Sequence, residues 1–192
     1  GEVNGSHGVY RPGGSALNAG QVGSLRAADF IAHRYADWTI DKGQVKQAAR
    51  EAITDVLEYL DNSTQSEISW KEARDEFQGR MTEAGAHIRS LDNLKTAVVA
   101  ARAQWKRVSE QGCAYKGVRS MVEALRNRQL CFAHMVYLEA VRFQVASGVG
   151  SRGSALVLTA RGGTKAHAAL GTEWRFAKEN EKFRKQVLET DV

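Results

Sequence analysis

The chain has 192 residues, 27 Lys and Arg against 22 Asp and Glu for a formal net charge of +5, and 43% hydrophobic residues. That is enough for one sizeable core, or one domain with an appended piece, and the composition is that of a folded chain rather than a disordered one. No apolar run approaches the roughly 20 residues that a membrane-spanning helix needs, so a soluble protein without direct membrane insertion is expected.

The basic residues are spread along the chain and interleaved with acids, as on a solvated helix face. They come with no zinc pattern, no aromatic RNA-binding strand and no compact basic arm, so no nucleic-acid partner is expected, while a modest positive field suits small anionic substrates. The two cysteines, Cys113 and Cys131, match no metal or redox spacing, which points to a reducing cytoplasm and to no metal site.

In chain order, residues 1–17 form a glycine-rich loop that feeds a helix running on to about residue 35. Gly13 and Gly14 remove side chains so that backbone can approach a flat ligand. The N–H groups around Ser15, Ala16 and Leu17 then lie at the positive end of the helix dipole, where an electron-rich or anionic group is the natural guest. The next helix lies between Gly43 and Asn62, with Val45, Ala48, Ala49, Ala52, Ile53, Val56, Leu57 and Leu60 on one stripe. Ser69 and Glu72 spell a capping box that starts a third helix, whose inner face is expected to be Trp70, Ala73, Phe77, Met81, Ala84 and Ile88. Ser90 caps a fourth, with Leu91, Leu94, Val98, Ala101, Trp105 and Val108 inside and an end near Gly112.

The longest helix is expected from about Val118 to Ala146, with Val118, Met121, Val122, Leu125, Phe132, Ala133, Val136, Ala140 and Phe143 on its inner side. Residues 150–171 show no sustained period, residues 173–188 suggest a charged terminal helix anchored by Trp174, Phe176, Phe183 and Val187, and no strand is expected after the first few residues. The fold class is therefore mainly α, a helical bundle. The pattern G-x-G-x-x-G at residues 148–153 follows a helix rather than a strand, so it is not expected to bind a dinucleotide. Cys131 and His134, one helical turn apart, suit a packed thiol and an edge histidine better than a metal pair, and His33, His87 and His167 suit surface or hydrogen-bonding positions.

The order Gly-Glu-Val, then Gly5-x-His7-Gly8-x-x-Arg11-x-Gly13-Gly14-x-Ala16-Leu17, resembles the closing FAD motif of the succinate dehydrogenase, fumarate reductase and L-aspartate oxidase flavoproteins. The resemblance implies that residues 1–40 end a FAD-binding domain and residues 41–192 form the helical C-terminal domain of such a flavoprotein. The start at Gly1 is then expected to be a cut within a longer protein whose nucleotide-binding half lies upstream, leaving this fragment inactive alone. Glu2 corresponds to the acid that hydrogen-bonds the ribityl hydroxyls, and Gly13, Gly14, Ser15, Ala16 and Leu17 to the helix end facing N1 and O2 of the isoalloxazine. Arg11 corresponds to the arginine that clamps a substrate carboxylate and is the one catalytic candidate, with a structural clamp as its other reading. His7 either touches flavin or substrate or stabilises the loop.

The implied activity is hydride transfer between FAD and a small carboxylate-bearing substrate. Tyr10 and Pro12 stand where the respiratory enzymes have Asn and Leu, so the resemblance does not fix that substrate as succinate or fumarate. Ser151-Arg152-Gly153 after the longest helix is similar to the Ser-Arg-Gly that ends a long helix in the family, with Gly150 in place of the usual Glu; Arg152 is there an active-site edge residue or a tether between domains. An electron-transfer subunit is an implied partner, and through it a peripheral place at a membrane for an otherwise cytoplasmic protein. The alternative is a non-catalytic helical module that docks a partner subunit or forms a homodimer.

Overall fold

The computed structural model describes residues 13–153 and 155–191. Glu2, His7, Tyr10, Arg11 and Pro12 lie outside the described residues. The architecture is mainly α-helical, and the chain divides into two compact units, residues 1–51 and 52–192. None of the described helices is long and apolar enough to cross a membrane.

In the first unit, α1 (Ser15–Arg34) starts directly after Gly14, whose φ of 77° is a left-handed conformation that glycine adopts without strain. Helix α1 buries none of its residues. At its C-terminal end Phe30 of the helix packs edge to face on Tyr35 and Tyr35 packs tilted on Trp38, with centroids 6.3 and 5.8 Å apart. Asp41 then caps α2 (Lys42–Thr64), its Oδ1 accepting from the N–H of Gly43 at 2.7 Å and of Gln44 at 3.2 Å.

The stripe expected on α2 forms but stays at the surface: Val45 of the first unit, and Ile53 and Leu57 of the second, are all more than half exposed. Tyr59 and Ser63 are the buried residues of this helix. They attach it through polar atoms: the Tyr59 hydroxyl donates to the Ala124 carbonyl at 3.0 Å, and the Ser63 hydroxyl accepts from the Cys113 N–H at 3.2 Å.

The rest of the second unit is built on three helices. Helix α3 (Trp70–Arg80) begins with the expected capping box, the Ser69 hydroxyl accepting from the Glu72 N–H and the Glu72 carboxylate from the Ser69 N–H. Its last turn widens into a π-helical turn over Met81–Gly85, and the chain then straightens into β1 (Ile88–Arg89), so Ile88 leaves the helix it was expected to continue. Helix α4 (Leu91–Gln111) is capped by Ser90 and stops at Gly112, and α5 (Gly117–Ala146) follows after a short turn. Leu94, Ala97, Val98 and Ala101 of α4 pack with Leu138 of α5 and Ala84 of the π-turn in one core cluster. Ala73 and Phe77 of α3 pack with Val108, Cys113, Ala124 and Cys131 in the other.

Helix α5 turns a different face inward from the expected one. Ala124, Asn127, Cys131, His134 and Leu138 are buried, while Val118 and Phe143 are more than half exposed. The buried set repeats at steps of 3, 4, 3 and 4 residues, the seam of a helix lying against neighbours nearly parallel to it.

The terminal segment corrects two expectations. Residues 173–188 hold no α-helix: Arg175–Phe176 form β4, antiparallel to β3 (Thr164–Lys165), and Glu181–Phe183 form one 3-10 turn. Short strands also occur where none was expected, β1 pairing in parallel with β2 (Leu156–Val157). Trp174 and Phe176 are two residues apart, which is strand spacing, and the backbone of this stretch is bonded to earlier chain, Ala177 N–H to Val157 O at 2.8 Å and Thr159 N–H to Arg175 O at 2.9 Å. Long-range pairing outweighed the helix propensity of its Glu and Lys residues.

Candidate functional site

Two places gather groups that could do chemistry, one in each unit, and they stand independently. The first is the start of α1. Its N-cap is Gly14, which has no side-chain acceptor, and its first turn carries no acidic residue that would add to the favourable charge at the positive end of the dipole. Leu17 is well exposed, and Ser15 and Ala16 are half-buried.

A Cβ added at Gly13, Gly14, Gly20 or Gly23 would meet nothing within 4 Å. Only Gly14 therefore needs to be glycine on the grounds of this chain's own backbone. Gly20 and Gly23, each costing a helix about 1 kcal/mol relative to Ala, are not offset by any close contact with the described residues. A shallow cavity of 260 Å³ lies along the same face, lined by Ala16, Leu17, Gly20, Gln21 and Ser24. Among the described residues this end of α1 thus combines bare backbone at residues 13–14 with small residues along an open face. Glu2, His7 and Arg11 are not among the described residues, so their approach to this helix end is not described.

The second place is a polar seam buried between α3, α4 and α5. Gln104 of α4, fully buried, donates from Nε2 to the Ala73 carbonyl at 2.8 Å and accepts from Arg80 Nη1 at 2.7 Å. The same Arg80 nitrogen lies 3.3 Å from His134 Nε2. Arg80 Nη2 pairs with Glu76 at 2.6 Å, and Arg107 reaches the other Glu76 oxygen at 2.5 Å. Two turns back along α5, Asn127 donates to the Trp70 carbonyl and accepts from Arg74 Nε at 2.9 Å, while Arg74 Nη1 pairs with Glu123 at 2.7 Å.

His134 is 94% buried rather than at an edge, being 6% exposed. Burial and then the neighbouring Arg80 charge hold its imidazole down to about 4, with Glu76 pulling the other way. It is therefore a neutral acceptor at ordinary pH. Burial likewise pushes the Cys131 thiol up to about 12 and raises that of Cys113, so neither cysteine is a thiolate nucleophile. Among the described residues no group of three or more His, Cys, Asp or Glu is placed to hold a metal ion.

Sequence reasoning missed this seam. The signal that could have exposed it was Asn127 and His134 standing at core steps from Ala124, Cys131 and Leu138, with Arg74 and Arg80 on the partner helix.

The remaining candidates resolve into structure. Gly148 and Gly150 have φ of 78° and 74°, but the loop's backbone is spent internally: Ser151 N–H donates to Ala177 O, Arg152 N–H to Ala155 O, and the Gly148 carbonyl accepts from Asn180. A phosphate cradle needs such N–H groups pointing at a ligand. Arg152 Nε lies 3.6 Å from Glu179, and Nη1 reaches the Phe183 carbonyl at 3.5 Å, so this arginine ties the loop after α5 to the terminal segment. No family model, no curated protein and no solved structure matches the chain.

Proposed function

We propose that the chain is the C-terminal part of a FAD-dependent oxidoreductase of the succinate dehydrogenase/fumarate reductase type, inactive by itself, acting in the intact protein on a small carboxylate-bearing substrate. The observation that supports this reading is the start of α1, where the Gly-Gly pair with its left-handed Gly14 and the small residues that follow leave an open face among the described residues.

FAD bound there would supply a two-electron carrier able to accept or return hydride. The N–H groups of the first turn, Ser15 to Leu17, would face the edge of the ring system on which negative charge gathers, and their fixed orientation costs no rearrangement as that charge grows. Glu2 would hold the ribityl hydroxyls. Arg11 would orient a substrate carboxylate through its two-pronged guanidinium, which stays charged at any working pH, and His7 would touch flavin or substrate beside it. An electron-transfer subunit and a cytoplasmic setting belong to the same proposal. The test is Arg11→Ala in the intact protein, which should keep bound flavin and lose turnover; unchanged turnover would remove Arg11 from the mechanism.

A second reading is favoured by the apolar surface in the first unit: Leu17, Leu25, Phe30 and Ile31 of α1 are all more than half exposed. Patches of this kind mark protein contacts, as a helical docking or dimerisation module would have. Light scattering on residues 1–192 and on the intact protein separates the two, because a homodimer that persists in the intact, flavin-loaded protein supports the module, and a dimer of the fragment that gives way to a monomer in the intact protein supports the oxidoreductase.

A further inference from the structure

Helix α3 is held to its neighbours in an unusual way. It fully buries only Ala73 and Phe77, with Trp70 packed partly buried at its start, and the polar seam supplies most of the attachment towards its last turn. At the end of that seam Arg80, the last residue of α3, meets both Gln104 and His134. Directly after Arg80 the backbone widens into the Met81–Gly85 π-turn, a local expansion that regular helices avoid. Beside it, between α3, the π-turn and α4, lies a groove of 620 Å³ lined in part by Glu76, Arg80, Ala84 and Ala97.

A guanidinium has only donors and keeps its charge. The contact from Arg80 Nη1 therefore requires a lone pair on His134 Nε2, which only the neutral Nδ1–H tautomer provides. Protonation would set N–H against N–H and charge against charge at 3.3 Å in a site almost closed to water. The charged groups acting on the ring are Arg80 and Glu76 from α3, while Arg107 from α4 reaches it only through Glu76. Glu76 offsets little of the repulsion, because both of its oxygens are already taken by Arg80 and Arg107.

We propose that the Arg80–His134 contact is an acid-released latch: neutral His134 holds the last turn of α3 and the π-turn against α4 and α5, and protonated His134 lets that segment swing out and open the groove while α4 and α5 stay paired. The α4–α5 contact survives because its core of Leu94, Val98, Ala101 and Leu138 contains no titrating group.

The sign follows from linkage. The latched state disfavours the proton, with His134 at about 4 against 6.5 when freed. Closure is therefore complete above pH 6.5, weakens as pH falls from 6.5 to about 4, and levels off below. From pH 7.5 to pH 5.0 the opening constant should rise about 30-fold. The range stops at pH 5.0 because the paired carboxylates Asp55, Glu72 and Glu123 all hold their charge to below the usual carboxylate range.

Residue-resolved amide hydrogen exchange on the 192-residue chain, corrected for intrinsic exchange, tests this. Amides of residues 77–85 should lose about 30-fold protection between pH 7.5 and 5.0, and those of residues 94–104 and 131–138 should not. His134→Gln, which keeps an acceptor for Arg80 and cannot take a proton, should flatten the profile. Should that variant fail to fold, the titration of the His134 ring in the unaltered protein decides, since a latch requires it to take its proton well below pH 6. Equal loss of protection across α4 and α5, a pH dependence that survives His134→Gln, or a His134 ring that titrates near pH 6.5 would each overturn the proposal.

Discussion

Gln104→Leu is the sharpest probe of how the second unit is held together. Leucine matches glutamine closely in volume, so the change opens no large cavity and isolates the polar contribution. Two groups lose a partner: the Ala73 carbonyl, which accepts from Nε2 at 2.8 Å, and the Arg80 guanidinium, which donates to Oε1 at 2.7 Å. The Ala73 carbonyl keeps its helix partner and loses only its second donor, about 0.5–1.5 kcal/mol, while removing a hydrogen bond to a charged group costs about 1.5–3 kcal/mol. Apolar burial of the leucine returns roughly 1–2 kcal/mol. The net expectation is a loss of about 2 kcal/mol, a large share of the roughly 5–15 kcal/mol by which a domain is stable.

Urea unfolding monitored by circular dichroism would show it as a midpoint lower by about 1 M at an unchanged slope near 2 kcal/mol per M. A double-mutant cycle with Arg80→Met should return a coupling of about 1–2 kcal/mol, because removing both partners strands less than removing one. A variant within 0.5 kcal/mol of the unaltered protein would show that Gln104 fills space without tying α3 to α4, and the seam would lose its structural role.

Other substitutions test other parts of the account. Leu138→Ala removes a fully buried side chain that packs against Gly85 and the α4 core, and about 3–4 kcal/mol of stability should go with it, read in the same unfolding experiment. Gly112→Ala should cost more than about 3 kcal/mol: with φ 69° and ψ −163° the backbone is in a region essentially reserved for glycine, and an added Cβ would stand 2.0 Å from the Ser63 hydroxyl oxygen. At the other end of the chain, Gly20→Ala and Gly23→Ala should each stabilise α1 by up to about 1 kcal/mol in the isolated chain, while weakening flavin retention in the intact protein, measured as FAD released on dialysis.

What could be read from sequence was mostly local. The Ser69–Glu72 box, the Ser90 cap and the stop at Gly112 are each settled within four residues by hydrogen bonds the chain makes with itself, and all three stand where expected. The inner face of α5 was not legible, because apolar residues surround that helix and its seam contains Asn127 and His134, whose partners Trp70, Arg74 and Arg80 are 53–57 residues away in the chain. Polar residues at core positions are tolerable only once those partners are known. The terminal segment was misread for a related reason: its composition favours helix, but its backbone bonds to residues 157–166 decide. On the candidate flavin site, the helix start at Ser15 after a left-handed Gly14 was legible from the Gly-Gly pair, whereas the roles of Glu2, His7 and Arg11 rest on the motif alone.

The central claim is that α1 begins at a flavin, and the visible absorption spectrum of the intact protein tests it most directly. The account predicts a yellow protein carrying one FAD per chain, with the 192-residue chain colourless by itself. An intact protein that stays colourless in excess FAD would contradict it.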